Sequence, residues 1–184
     1  MSRMKTISIV LFNLLIIGIG LPSCSEKPKK SRNELLAGMY KLLIIENKDS
    51  SGNWQQQEWA KDGDGYIIYD GKGHMGVQIT PKGYKEFKWL AEEPSINNDE
   101  VRKKTDSMTT DELKEAVREF ESSYVYFGNY TIDDSADMVT HDRISSSIPV
   151  VWGTTVKRKF SFRGDTVILE PLNANRRLKW IKMK

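Results

Sequence analysis

Residues 65–79 read GYIIYDGKGHMGVQI and hold the clearest secondary-structure signal in the chain. Two runs of strand-forming residues, Tyr66–Tyr69 and Met75–Ile79, flank the turn sequence Asp70-Gly71-Lys72-Gly73. The two glycines of this turn can adopt the positive φ angles that tight hairpin connections require. The segment therefore predicts a β-hairpin, and it makes antiparallel sheet the expected framework of the fold.

Strand-like runs separated by Gly, Asp and Asn turns continue on both sides of this hairpin. On the N-terminal side the pattern predicts one long strand over Leu35–Ile45 and a weaker one over Trp54–Trp59. On the C-terminal side it predicts strands over residues 130–133, 138–145, 151–163, 167–170 and 178–183. About eight or nine strands are enough to close a small up-and-down barrel, so we expect a mainly β, antiparallel barrel.

The alternation is interrupted by an insertion over about residues 81–125. Within it, Leu113, Val117, Phe120 and Tyr124 recur at the spacings of three and four that place residues on one helix face. Thr109 with Glu112 matches the capping box that begins many helices. The insertion is therefore expected to contain one amphipathic helix, packed over an open end or a side of the sheet.

The first 23 residues have the form of a secretory signal. Arg3 and Lys5 precede an apolar run from Ile7 to Leu21, which is shorter than the roughly 20 apolar residues of a membrane-spanning helix. The segment Leu21-Pro22-Ser23-Cys24 resembles the lipobox of bacterial lipoproteins, and Cys24 is the single cysteine of the chain. The alternative is an ordinary secretory signal beside an unmodified cysteine.

The lipobox resemblance implies cleavage before Cys24 and attachment of acyl chains such as palmitate to that residue. Several acyl chains make a lasting membrane anchor, whereas one is marginal. Residues 24–34, which contain three lysines and Pro28, then form a tether, and residues 35–184 form the barrel domain. An Asp directly after the lipidated cysteine would resemble an inner-membrane retention signal, but this position holds Ser25. We therefore expect a lipid-anchored protein of the cell envelope, at the outer membrane of a Gram-negative bacterium.

Charge and cysteine content exclude several classes of protein. The chain has 184 residues with 28 basic and 25 acidic side chains, and residues 1–23 hold Arg3 and Lys5 but no acid, so cleavage leaves 26 basic against 25 acidic residues. A nearly neutral domain lacks the clustered positive charge of a nucleic-acid binder. One cysteine excludes an internal disulfide framework and a Cys-rich zinc module.

Four segments in order resemble the bacterial lipocalin-like domain family from about residue 35 to the C-terminus: Leu36–Leu42, Gly65–Met75, Phe127–Asp133 and Gly153–Phe160. The resemblance implies a calycin-type antiparallel barrel with a small-molecule site in its interior. It implies no shared enzymatic activity and no cofactor. Tyr40 stands here where lipocalin-type barrels tend to place a Trp.

Arg158 is the most informative candidate site residue. Val156, Arg158 and Phe160 fall on one face of a predicted strand, so the charge of Arg158 lies among apolar side chains. A buried charge is costly unless it is paired. One interpretation is a cationic anchor for a carboxylate or other acidic head group; the other, which resembles lipocalin architecture, is a structural arginine stacked on an aromatic residue such as Tyr40 at a barrel end.

Only His74 and His141 could supply imidazole chemistry. His74 follows the glycine turn and is expected at the surface, whereas His141 shares a strand face with Val139 and Arg143. The sequence shows no spacing typical of a metal site, no phosphate-binding loop and no serine-nucleophile signature. No catalytic residue, metal or cofactor is therefore assigned.

These observations lead to one main hypothesis and two alternatives. We expect a membrane-anchored barrel that binds a small hydrophobic or amphipathic molecule, with a lining drawn from Arg158, Tyr66, Tyr69, His141 and Trp152. The first alternative is a cell-envelope interaction module whose barrel is filled by its own side chains. The second is a small enzyme that uses His141 as an acid or base.

Overall fold

The computed structural model describes residues 30–84 and 99–184. The signal segment, Cys24 and most of the tether lie outside the described residues. The helices are α1 (Arg32–Leu36), α2 (Asp99–Ser107) and α3 (Thr110–Glu121), and the strands are β1 (Gly38–Lys48), β2 (Trp54–Gln56), β3 (Asp64–Tyr69), β4 (His74–Thr80), β5 (Tyr124–Asp133), β6 (Met138–Ser146), β7 (Thr154–Arg163), β8 (Thr166–Pro171) and β9 (Arg176–Lys182).

The strands form a closed antiparallel barrel. From β3 to β9 each strand pairs with the next in the chain, and β1 pairs with both β3 and β9, which closes the sheet. The short β2 pairs with the C-terminal end of β1, on the same side of β1 as β3. It therefore extends the barrel wall without belonging to the ring of eight strands. The predicted up-and-down β barrel is confirmed.

The central hairpin forms as its sequence predicts. β3 and β4 pair from Asp64 opposite Thr80 to Tyr69 opposite Met75. Gly71 and Gly73 have φ angles of +75° and +109°, which a residue with a side chain rarely adopts. The Asp70 carboxylate accepts a hydrogen bond from the backbone N–H of Lys72 at 2.6 Å and so stabilises the turn.

The start of the domain differs from the prediction of a strand beginning at Leu35. Ser31 and Glu34 form a reciprocal capping box that begins α1, so residues 32–36 are helical and β1 starts at Gly38. Helix α1 and its N-cap Ser31 therefore lie partly within the predicted tether of residues 24–34.

Helix α1 closes one end of the barrel. Asn33 donates to the Gly71 carbonyl at 2.7 Å and accepts from the Tyr130 hydroxyl at 2.6 Å. Leu36 is fully buried, and the Tyr40 hydroxyl donates to its carbonyl at 2.9 Å. The barrel consequently has a closed end under α1 and an open end, here called the mouth, at the other ends of the strands.

The insertion contains more helix than the single one predicted, because α2 precedes α3. The capping box of Thr109 and Glu112 is confirmed at the start of α3. The predicted apolar stripe is not the buried face, since Ala116 is buried while Val117 and Phe120 are each 53% exposed. Tyr124 lies in β5, where it pairs with Ile79, and not on the helix.

The core fills the lower and middle barrel with large side chains: Trp180, Tyr40, Tyr69, Tyr126, Ile67, Leu169, Val139 and Val167 are all fully buried. Among the described residues, every member of the core lies between Leu36 and Trp180. Residues 25–184 thus include the whole described core and all eight strands of the ring. Of the helices in the described ranges, none has the length and apolar character needed to cross a bilayer.

Candidate functional site

A buried hydrogen-bonded group lies at the centre of the barrel. His141 is fully buried on β6, and its Nε2 lies 2.8 Å from the Tyr69 hydroxyl on β3. Its Nδ1 lies 2.7 Å from the Tyr126 hydroxyl on β5. Alternation along each strand turns all three side chains inward, so three distant parts of the chain meet here.

The protonation states of this group follow from its burial. Burial lowers the pKa of His141 well below its ordinary value, and the nearby charges of Arg158 and Arg143 act in the same direction. Burial raises the pKa of both Tyr69 and Tyr126. A neutral imidazole has one donor and one acceptor nitrogen, so one tyrosine hydroxyl donates to it and the other accepts from it.

Above this group the mouth opens into a cavity of about 840 Å³. Its walls come from the upper ends of the strands and from the β8–β9 loop, and the apolar part of the lining consists of Ile45, Trp59, Ile79, Pro81, Tyr124, Ile148, Val156, Pro171, Leu172, Ala174 and Leu178. This volume lies within the range of roughly 300–1,000 Å³ that is typical of small-molecule sites. We call it the mouth cavity.

Three arginines line the mouth cavity, and two of them, Arg143 and Arg158 on neighbouring strands, have a buried Nε. Arg158 on β7 is 9% exposed, and its Nε is buried without a hydrogen-bond partner, as is the Nε of Arg143 on β6. Arg143 also donates to the Tyr124 hydroxyl at 3.1 Å. Within residues 30–84 and 99–184, neither arginine forms a salt bridge. Glu121 is the carboxylate that lines the same cavity.

Arg158 does not take the structural role that was its alternative interpretation. The cation over the Tyr40 ring is Lys182, with its Nζ 5.5 Å from the ring centroid. Arg158 instead lines the mouth cavity. Its charge and its hydrogen bond to Tyr126 lower the pKa of that hydroxyl, which opposes the effect of burial. Its face of β7 is the predicted one, because Phe160 is also buried there.

Three of the five predicted lining residues come together and two do not. Tyr69, His141 and Arg158 all point inward and are buried, but of these three only Arg158 lines the mouth cavity. Tyr66 lies on the outer face of β3, because it is three residues from Tyr69 and strand side chains alternate. Trp152 is 56% exposed in the loop before β7, where its indole N–H donates to the Ser146 carbonyl. The expectation that Tyr66 and Trp152 line the site is therefore corrected.

Sequence reasoning missed Tyr126 and Trp180. The predicted helix of the insertion includes Tyr124, which in the structure is the first residue of β5. Tyr126, Gly128 and Tyr130 follow at every second position, which is the pattern of an inward strand face. Trp180 is not singled out by the sequence, because nothing in its local sequence shows that its N–H has no partner. His74, as expected, has an exposed side chain, with its Nδ1 2.6 Å from Asp70.

The arrangement favours binding over bond-making chemistry. Both nitrogens of His141 are engaged by tyrosines, so the imidazole has no free position for proton transfer to a substrate. In the part of the chain that the structure describes, no three His, Cys, Asp or Glu side chains group as metal ligands would. The mouth cavity offers apolar surface together with the guanidinium groups of Arg143, Arg158 and Arg176.

The chain was compared with protein families, curated proteins and solved structures. The family model of the lipocalin-like domain matches residues 37–182. A crystal structure of a lipocalin-like protein from Bacteroides uniformis is similar, with 12% sequence identity and a TM-score of 0.42 over 81% of this chain and 99% of that chain. No curated protein matches the chain.

Proposed function

Because the chain belongs to the lipocalin-like domain family, we propose that it is a lipid-anchored envelope protein that binds a small amphipathic molecule in its mouth cavity without transforming it. One observation carries the proposal: a cavity of about 840 Å³ with a largely apolar lining also holds the side chains of Arg158 and Arg143. Apolar walls with a few placed polar groups are the usual composition of a ligand site.

The two guanidiniums argue for an acidic group on the ligand. A buried cation without an ion-pair partner loses hydration, and the Nε of both arginines is left without an acceptor among the described residues. A carboxylate or similar anion in the mouth cavity would supply both charge and hydrogen-bond acceptors to Arg158. Glu121 at the cavity wall offsets part of this positive charge from one side.

Anchoring through Cys24 is the second part of the proposal. It is supported by the lipobox resemblance at residues 21–24 and by the basic, Pro-containing stretch that follows. Since α1 packs on the closed end, a lipid on Cys24 would tether that end to the bilayer. The mouth would then face away from the membrane, and ligand would exchange with the aqueous side.

Blocking the mouth cavity tests the proposal. Val156 lines it from β7, so Val156→Trp should fill part of the cavity and weaken binding of decanoate at least tenfold by isothermal titration calorimetry on residues 25–184. Ser161→Trp adds the same side chain to the exposed outer face of β7 and should leave the affinity unchanged. Equal affinity in both variants would contradict binding in the mouth cavity.

A second candidate function is an interaction module that binds no small molecule. It is favoured by a groove of about 640 Å³ beside α3, lined by Val117, Phe120, Ile148 and Pro149, and by the nearly filled interior beneath the mouth. Under this alternative the wild-type protein would bind no decanoate. Phe120→Ser would then impair the protein's interaction with its envelope partner in cells, whereas Val156→Trp would not.

A further inference from the structure

A small void lies directly beneath the mouth cavity, in the middle of the barrel. It has a volume of about 20 Å³, and its lining includes Tyr126, Arg158 and Trp180. Four residues line both this void and the mouth cavity, namely Ile79, Tyr124, Arg158 and Leu178. The void is therefore the floor of the same site and not a separate defect in the core.

Two hydrogen-bond donors on residues that line this void have no partner among the described residues. They are Nε1 of Trp180, a residue that is 1% exposed, and Nε of Arg158. An indole N–H and a guanidinium N–H can only donate. Leaving such a buried donor unpaired is unfavourable, and more so for a charged group. The floor thus has an unmet requirement for an acceptor atom.

The size of the void limits what that acceptor can be. A space of about 20 Å³ corresponds to one water-sized group, so one oxygen atom fits while the rest of a molecule must extend into the mouth cavity. Arg158 adds a positive charge that a neutral water does not offset. A charged acceptor oxygen forms shorter and stronger bonds with such donors than a neutral one does.

We propose that Trp180 Nε1 and Arg158 Nε form a subsite that receives one oxygen of an acidic head group, so that an amphipathic acid binds with its head inward and its tail toward the mouth. The proposal rests on the proposed function and adds the ligand's chemical class and its orientation. The Tyr126 hydroxyl, which borders the same void, is held in place by His141. The tail lies along Trp59, Ile148 and Leu172 at the outer part of the mouth cavity.

A pair of probes that differ only in the head group tests this subsite. Decanoate and decanol are titrated calorimetrically into residues 25–184, which contain the whole barrel and its core. Trp180→Phe removes the N–H donor and keeps an aromatic ring, so it should weaken decanoate about tenfold or more. Arg158→Met should weaken it at least about 30-fold. Both variants should change decanol affinity less than threefold.

Two matched controls separate the subsite from general effects. Lys159→Met removes one positive charge from the exposed face of β7, and Trp152→Phe removes an indole from outside both cavities. Both should leave decanoate binding unchanged. Arg158→Lys keeps the positive charge but lacks the Nε donor. If Trp180→Phe fails to fold, an affinity of Arg158→Lys for decanoate between those of the wild-type protein and Arg158→Met would support the subsite.

The outcomes distinguish the subsite from the function on which it rests. If the wild-type protein binds decanoate and Trp180→Phe and Arg158→Met bind it equally well, the void holds only a water and the subsite is refuted. If the variants weaken decanol as much as decanoate, their role is structural and the subsite is again refuted. If the wild-type protein binds neither probe, the proposed function itself fails.

Discussion

The hydroxyl of Tyr69 lies 2.8 Å from Nε2 of His141 at the centre of the barrel. With Tyr126 on the other nitrogen at 2.7 Å, the imidazole on β6 bridges β3 and β5, which are separated by β4 in the sheet order. The bridge orients the Tyr126 hydroxyl beside Arg158 at the floor of the mouth cavity. His141 is thus a positioning residue for the site and part of the buried core.

The His141 imidazole should stay neutral well into the acidic range. Burial lowers its pKa far below the ordinary 6.5, so its ring resonances in NMR spectra should not titrate between about pH 8 and about pH 6. The unfolded chain binds a proton below pH 6.5 that the folded chain does not bind. The free energy of unfolding should therefore fall as the pH drops below that value, by up to about 1.4 kcal/mol per pH unit from this group. A normal titration midpoint would contradict the buried bridge.

Tyr69→Phe should destabilise the protein by about 1–3 kcal/mol, because it leaves Nε2 of His141 buried without a partner. Urea unfolding of residues 25–184 measures the change. Tyr66→Phe removes the same hydroxyl from the outer face of β3 and should cost less than about 0.5 kcal/mol. Equal effects of the two substitutions would mean that the Tyr69 bond adds nothing to stability.

Asn33→Ala should loosen the closed end. The substitution removes the bonds to Gly71 and Tyr130, and we expect a loss of about 1–3 kcal/mol together with faster amide exchange over α1. Asn129→Ala, on the exposed face of β5, is the matched control. An unchanged free energy of unfolding in Asn33→Ala would show that α1 does not hold the barrel closed.

Much of the fold was predictable because its signals are local. The β3–β4 hairpin rests on two glycines with positive φ, and the start of α3 rests on the Thr109–Glu112 box. The strand start at Gly38 was not predicted, because the second capping box, Ser31 with Glu34, lies in a stretch whose composition resembles a tether. A register shift between Leu42 and Ile44 buries Ile45, which strict alternation from Tyr40 would not predict.

The candidate site was less predictable because it depends on long-range geometry. Alternation along single strands identified His141 and Arg158 as inward-facing. It does not reveal which distant side chains meet them, so Tyr126 and the unpartnered N–H of Trp180 emerged only from the fold. Tyr66 was a wrong choice for a local reason, since residues three apart on a strand cannot face the same side.

Cys24→Ala should abolish membrane association. Lipid attachment at this position requires the thiol, so the variant should leave the membrane fraction and lose lipoprotein-type processing, as seen by fractionation and intact mass. Ser25→Ala keeps the thiol and should remain lipidated. A Cys24→Ala protein that is still processed and membrane-bound would contradict the anchor.

The most direct test of the account is native mass spectrometry of residues 25–184 purified from cells, followed by extraction of any bound species into organic solvent. We predict a stoichiometric amphipathic molecule with an acidic head group, which is released on denaturation and is displaced by decanoate. A protein that shows only its bare mass, even after incubation with an envelope lipid extract, would contradict ligand binding in the mouth cavity.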